Sequence, residues 1–160
     1  MNFSTLFRLR ENLNLDKKTL VILRWIAIIG QLTAINLVYF YLKLDFPVFL
    51  SHFILFLGLA TNLYLQFGIK SSTINDFYAS IFLTYDLIQL TALLYLTGGI
   101  SNPFSLLLIV PAIVSSTFLS MGTTIILGLL TISLLFVLTK FHLALPGIEE
   151  YAFLFPKFYI

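Results

Sequence analysis

Thr97-Gly98-Gly99-Ile100-Ser101-Asn102-Pro103-Phe104 joins two long apolar runs without a single charge. One run precedes it, over about residues 77–97; the other starts at Pro103 and extends to about Ser120. Gly98 and Gly99 accept positive φ and so suit the end of a helix. Asn102 is a strong N-cap type, able to take the amide proton of Phe104 or Ser105, and Pro103 fits the first helical position, where no amide donor is needed. The stretch therefore predicts a tight reversal between two apolar helices.

Outward from this hairpin, further apolar runs cover about residues 20–42, 47–69 and 123–142. Each is long enough to cross roughly 30 Å of hydrocarbon as a helix. They are continuous rather than alternating, which excludes barrel strands. After Glu149 and Glu150 the chain turns apolar again from Tyr151. Ten residues do not cross a bilayer, so a sixth span is expected to begin there, and the chain reads as the front part of a longer protein. The expected fold is all-α: a polytopic helical membrane bundle of five full transmembrane helices plus the start of a sixth, over residues 20–160. Residues 1–19 are expected to form a cytoplasmic segment, in which Phe3, Leu6, Phe7 and Leu13 fall near the spacing of a short surface helix.

Composition agrees. Of 160 residues, 59% are hydrophobic and 10% charged, with mean hydropathy +1.01. A soluble domain carries about 25% charged residues, so a water-soluble enzyme is excluded. A net charge of +2 offers no phosphate-binding stripe, which excludes nucleic acid as a partner. The chain has no cysteine, hence no disulfide, thiolate metal site or cysteine nucleophile. Its two histidines, His52 and His142, lie in no metal-binding pattern, so no metal is expected.

Arg8, Arg10, Lys17, Lys18 and Arg24 precede or open the first span, and Lys70 falls between the second and third. The positive-inside rule then puts the N-terminus in the cytoplasm and the Gly98–Asn102 turn on the outer side. Arg24 is expected to snorkel to lipid phosphates. Asp86 lies mid-span, about 18 Å from Gly98 along a helix. A carboxylate at that depth costs roughly 2.5–3.5 kcal/mol, so it should face the bundle interior and have a partner, with Gln31 the preferred one. It is read equally as a relay and as polar glue between helices. His52 and Tyr95 are candidates to support a ligand at the hairpin from behind or to relay its presence, as are Asp86 and Gln31, and Pro111 is expected to kink the fourth span.

Two readings of the hairpin stand. As a turn it needs nothing more than its glycines and Asn-Pro. As a site, its free amides at a helix start would attract a carbonyl oxygen, with Tyr95 and Phe104 stacking on a flat ring.

Gly98-Gly99-Ile100-Ser101-Asn102-Pro103-Phe104 resembles the GGxxNPF heptapeptide of the RegB/PrrB/ActS family of redox-sensing histidine kinases. Leu23-Arg24-Trp25 with Gly30-Gln31 resembles that family's first span, and Pro146, Pro156 and Tyr159 its path into the sixth. The resemblance implies a sensor domain of six membrane helices in a bacterial inner membrane. It also implies a homodimer and a ubiquinone or other quinone held at Gly98, Gly99, Asn102, Pro103 and Phe104. The family's phospho-accepting histidine, ATP-binding boxes and redox cysteine lie beyond the membrane domain. No catalytic residue is therefore expected here, and a response regulator would be reached only through the kinase part. The alternatives are a small channel or transporter, for which Asn102-Pro103 at a helix start is the feature, or a purely structural multi-pass protein.

Overall fold

A computed structural model describes residues 15–143. The 1–14 segment and the expected sixth span from Tyr151 lie outside the described residues. Two-residue strands β1 (Leu15–Asp16) and β2 (Thr73–Ile74) pair antiparallel, Leu15 against Ile74. The helices are α1 (Lys17–Asn36), α2 (Val48–Leu63), α3 (Asp76–Leu96), α4 (Val110–Phe118) and α5 (Met121–Lys140). The first two widen into π-helical ends at Leu37–Tyr41 and Tyr64–Gly68. A 3-10 segment, Pro103–Ile109, leads into α4.

Four of these helices are long and apolar enough to cross a membrane: Lys17–Tyr41, Val48–Gly68, Asp76–Leu96 and Met121–Lys140. Pro103–Phe118 is shorter. Its seven 3-10 residues rise about 2.0 Å each and its nine α residues about 1.5 Å, so it reaches about 28 Å. The tighter winding thus lengthens an otherwise short helix to nearly the thickness of the hydrocarbon. Pro111 sits where the winding changes, in the first turn of α4, and there its missing donor costs nothing.

Capping follows the sequence. Asp16 accepts from the Lys18 amide (3.2 Å), Asn75 from Tyr78 (3.0 Å) and Ser120 from Thr123 (3.3 Å). Helix ends leave orphan carbonyls, and Lys17 Nζ donates to two of them at the end of α2: Ile69 O at 2.6 Å and Gln66 O at 3.2 Å. Lys17 is therefore a structural clasp rather than a solvated tail residue. Asp76 accepts from Ser120 N (2.7 Å) and from the hydroxyls of Ser120 and Thr123. This fixes the start of α3 to the turn between α4 and α5.

α3 is the central helix. Phe82, Leu83, Leu87, Leu90 and Leu94 are buried in the main core, with Leu20, Leu65, Leu108, Leu127 and Leu138 from its neighbours. α1 and α3 run in the same direction, because β1 and β2 tie their starts together. α2 packs beside both, and Gly58 gives it room: a Cβ there would strike the Gln89 side chain. α4 and α5 cover the other side of α3, joined by Ser115 and Thr124, whose hydroxyls are 3.1 Å apart. Side chains such as Ile26 and Ile29 on α1 and Ile126, Ile132 and Phe136 on α5 point outward and exposed, as a lipid-facing surface requires.

Candidate functional site

The hairpin forms as its residues predict. Gly98 takes φ +99° and Gly99 φ +60°. Asn102 Oδ1 accepts from Phe104 N at 2.9 Å, and Pro103 opens the following helix. Asn102 also donates through Nδ2 to the Thr97 carbonyl (3.0 Å) and hydroxyl (2.9 Å). The Ser105 amide bonds Asn102 O at 2.9 Å. Here the structure corrects the expectation of free amides: those of Phe104 and Ser105 are already taken, and both polar groups of Asn102 are spent within the turn.

Gly99 is committed too. The His142 ring packs against it so closely that any Cβ would collide with it. His142 Nδ1 donates to Leu138 O at 2.9 Å, and the Leu143 amide bonds Tyr95 O at 2.8 Å. Gly99 thus docks the end of α5 under the hairpin.

Asn102 and Phe104 face the other way, into a slot of about 430 Å³ between α1 on one wall and α3 with α4 on the other. Its lining is overwhelmingly apolar, including Ala34, Leu90, Leu107 and Val114. From Leu20 to Val38 its α1 wall extends about 27 Å. Gly30 has open space where a Cβ would be, and Ala27, Gly30 and Ala34 make the wall recede. Gly98, Gly99 and Pro103 do not line this slot.

At the slot's deeper end Arg24 meets Asp86. Arg24 Nε lies 3.0 and 3.1 Å from the two carboxylate oxygens and Nη2 2.9 Å from Oδ1. Nη2 also donates to the Thr61 hydroxyl at 2.8 Å. The guanidinium carbon is 5.1 Å from the Phe82 ring centre and 5.8 Å from that of Tyr85, within cation–π range. Arg24 is only 3% exposed. The expected snorkel is therefore wrong: the arginine turns inward to neutralise the one mid-span acid, because an unpaired charge there is too costly. Gln31 is not that partner. It accepts from Gln89 Nε2 at 3.0 Å, one level nearer the hairpin. These two side-chain bridges link α1 to α3.

The remaining candidates lie apart. His52 donates Nδ1 to Val48 O at 2.9 Å within its own helix. Tyr95 lines a separate shallow groove beside Leu50, Ile54 and Val137, so it does not stack with Phe104 in the slot. Among the described residues no group of His, Cys, Asp or Glu gathers to hold a metal. Sequence reasoning missed Arg24 and Gln89 as site residues. It also missed the recessed stripe Ala27-Gly30-Ala34, whose i, i+3, i+7 spacing on the face of Arg24 and Gln31 is visible in the sequence.

Residues 8–152 match the PilS-like transmembrane domain. The sensor histidine kinase RegB of Cereibacter sphaeroides is 39% identical over 129 residues, which cover 80% of this chain and 28% of RegB. The chain thus spans just over a quarter of that relative's length. No solved structure matches it. The long apolar helices, the heptapeptide hairpin and these two similarities agree, and the chain belongs to the PilS-like transmembrane domain family as a RegB-like transmembrane sensor domain.

Proposed function

We propose that this chain is the membrane input domain of a two-component histidine kinase and that its slot takes a quinone, reporting the redox state of the quinone pool. The observation that carries this reading is the slot itself. Its lining includes both Asn102 and Phe104 of the heptapeptide and the Arg24–Asp86 pair. An apolar channel with a few convergent polar groups suits a flat carbonyl-bearing ring on a long hydrocarbon tail. Phe104, 42% exposed, stands at the mouth, on what we take as the outer side, with the N-terminus in the cytoplasm. Pro103–Phe118 is the fourth of the crossings on this reading, and α5 the fifth.

A ligand shifts an equilibrium only by binding one arrangement better than another. α1 is joined to α3 by two polar bridges, and Arg24, Gln31 and Asp86 of these bridges line the slot, so filling the slot favours one spacing of these helices. The kinase reaction, the response regulator and a homodimeric assembly belong to the larger protein that such a domain would serve.

The test is equilibrium binding and photolabelling with an azido-quinone on the purified chain in lipid nanodiscs. Ala34→Phe, which fills the slot, and Phe104→Ala, which removes the ring at its mouth, should each weaken labelling. Undiminished labelling in both variants would remove the slot as the site.

A further inference from the structure

We infer that the ring of the bound carrier lodges deep in the slot, between Arg24 and Gln31 at mid-membrane, and that the heptapeptide hairpin holds its tail rather than its head. This rests on the quinone reading and goes beyond it by moving the head away from the hairpin.

Four observations carry it. First, the hairpin has no donor to spare at its helix start, since the Phe104 and Ser105 amides and both Asn102 groups are bonded internally. A carbonyl oxygen left without a donor in hydrocarbon forfeits its hydrogen bonds with water. Second, Arg24 lines the slot, is 97% buried by its 3% exposure, and leaves Nη1 without a partner. Its other N–H groups all face Asp86 or Thr61. Third, Gln31 also lines the slot and uses only its oxygen, toward Gln89. Its Nε2 has no partner among the described residues. Fourth, the wall between these two donors is the recessed one, with open space at Gly30.

The two donors stand at neighbouring levels. Arg24 and Gln31 share one face of α1, and their side chains are held on Asp86 and Gln89, which differ by about 4.5 Å in rise on α3. A dicarbonyl ring beside them would have a donor within reach of each oxygen. That level lies about 14–18 Å from Gly98 along α3, too far for one head to touch both places.

The experiment uses the 160-residue chain in nanodiscs, a short-chain ubiquinone as titrant and its azido derivative as label. Trp25, the single tryptophan, adjoins Arg24 and serves as the quenching reporter. The expected result is saturable quenching, with label recovered on α1 or α3. Gly30→Leu, which occupies open space, and Gln31→Leu, which removes the donor, should each weaken affinity about tenfold or more. The double variant Arg24→Leu/Asp86→Leu, which strands no charge, should do the same. Circular dichroism confirms that each variant is folded. Saturable binding unchanged in all three, with label confined to residues 97–105, would overturn the deep placement and leave the quinone reading standing. No saturable binding to the parent chain would overturn both.

Discussion

Breaking the Arg24–Asp86 pair from either side should give unequal losses. Arg24 directs Nε at both carboxylate oxygens, at 3.0 and 3.1 Å, and Nη2 at Oδ1 and Thr61 Oγ1, at 2.9 and 2.8 Å. Removing one member of a buried, hydrogen-bonded pair costs about 3–5 kcal/mol, because the survivor is left charged without compensation. The two survivors differ. A stranded carboxylate escapes by binding a proton, whereas a guanidinium has no neutral form to adopt. Asp86→Leu should therefore fall at the upper end of that range and Arg24→Leu at the lower. At about 1.4 kcal/mol per decade the folded-to-unfolded ratio drops roughly 150-fold for Arg24→Leu and several thousandfold for Asp86→Leu. The double variant removes both charges and replaces them with apolar volume. It should return to within about 1 kcal/mol of the parent. The assay is reversible unfolding in mixed detergent and dodecyl sulfate micelles, followed by circular dichroism so that changes beside Trp25 do not bias the midpoint. Equal losses in the two single variants, with a double variant as unstable as their sum, would refute the reasoning.

Other outcomes follow from single contacts. Gly58→Leu should destabilise by about 1–3 kcal/mol through overpacking against Gln89, and Gln89→Ala in the same chain should recover much of the loss in the same unfolding assay. Gly99→Ala should cost about 1–3 kcal/mol from its left-handed backbone and the His142 ring above it; adding His142→Ala should restore only the steric part. Asn102→Asp keeps the acceptor for Phe104 but loses the donor to Thr97, so it should cost less than Asn102→Ala, which loses both. Because the chain has no cysteine, Lys70→Cys and Ser101→Cys give clean topology probes. An impermeant maleimide on spheroplasts should label Ser101→Cys and spare Lys70→Cys.

The helices and the hairpin were legible because both are local. Apolar runs fix spans, and Gly98, Asn102 and Pro103 each act within a few residues of themselves. What was not legible depends on contacts far apart in the chain. Arg24 looked like a lipid anchor because its position near the start of the first span is all that sequence supplies. Its burial follows from Asp86, 62 residues later, being carried to the same level by a helix running in the same direction. Gln31 lies at a depth along the first span that suits Asp86, but it pairs with Gln89 instead. The two-residue strands were too short to register as a pattern, although Leu15 and Ile74 are buried there. The 3-10 winding of Pro103–Ile109 has no signature beyond its flanking prolines. The run expected as a full span is shorter because Leu119 leaves the helix as extended backbone, and the 3-10 winding recovers part of the lost length.

That winding also makes the stretch after the hairpin a gear. A 3-10 residue advances about 2.0 Å and turns about 120°, an α residue about 1.5 Å and 100°. Recoiling one three-residue turn from the first state to the second would draw Phe104 about 1.5 Å along the axis and swing it through about 60° relative to α4. An aromatic ring at the threshold of an apolar slot would thereby be coupled to an axial stroke of the helix behind it, with no hinge required.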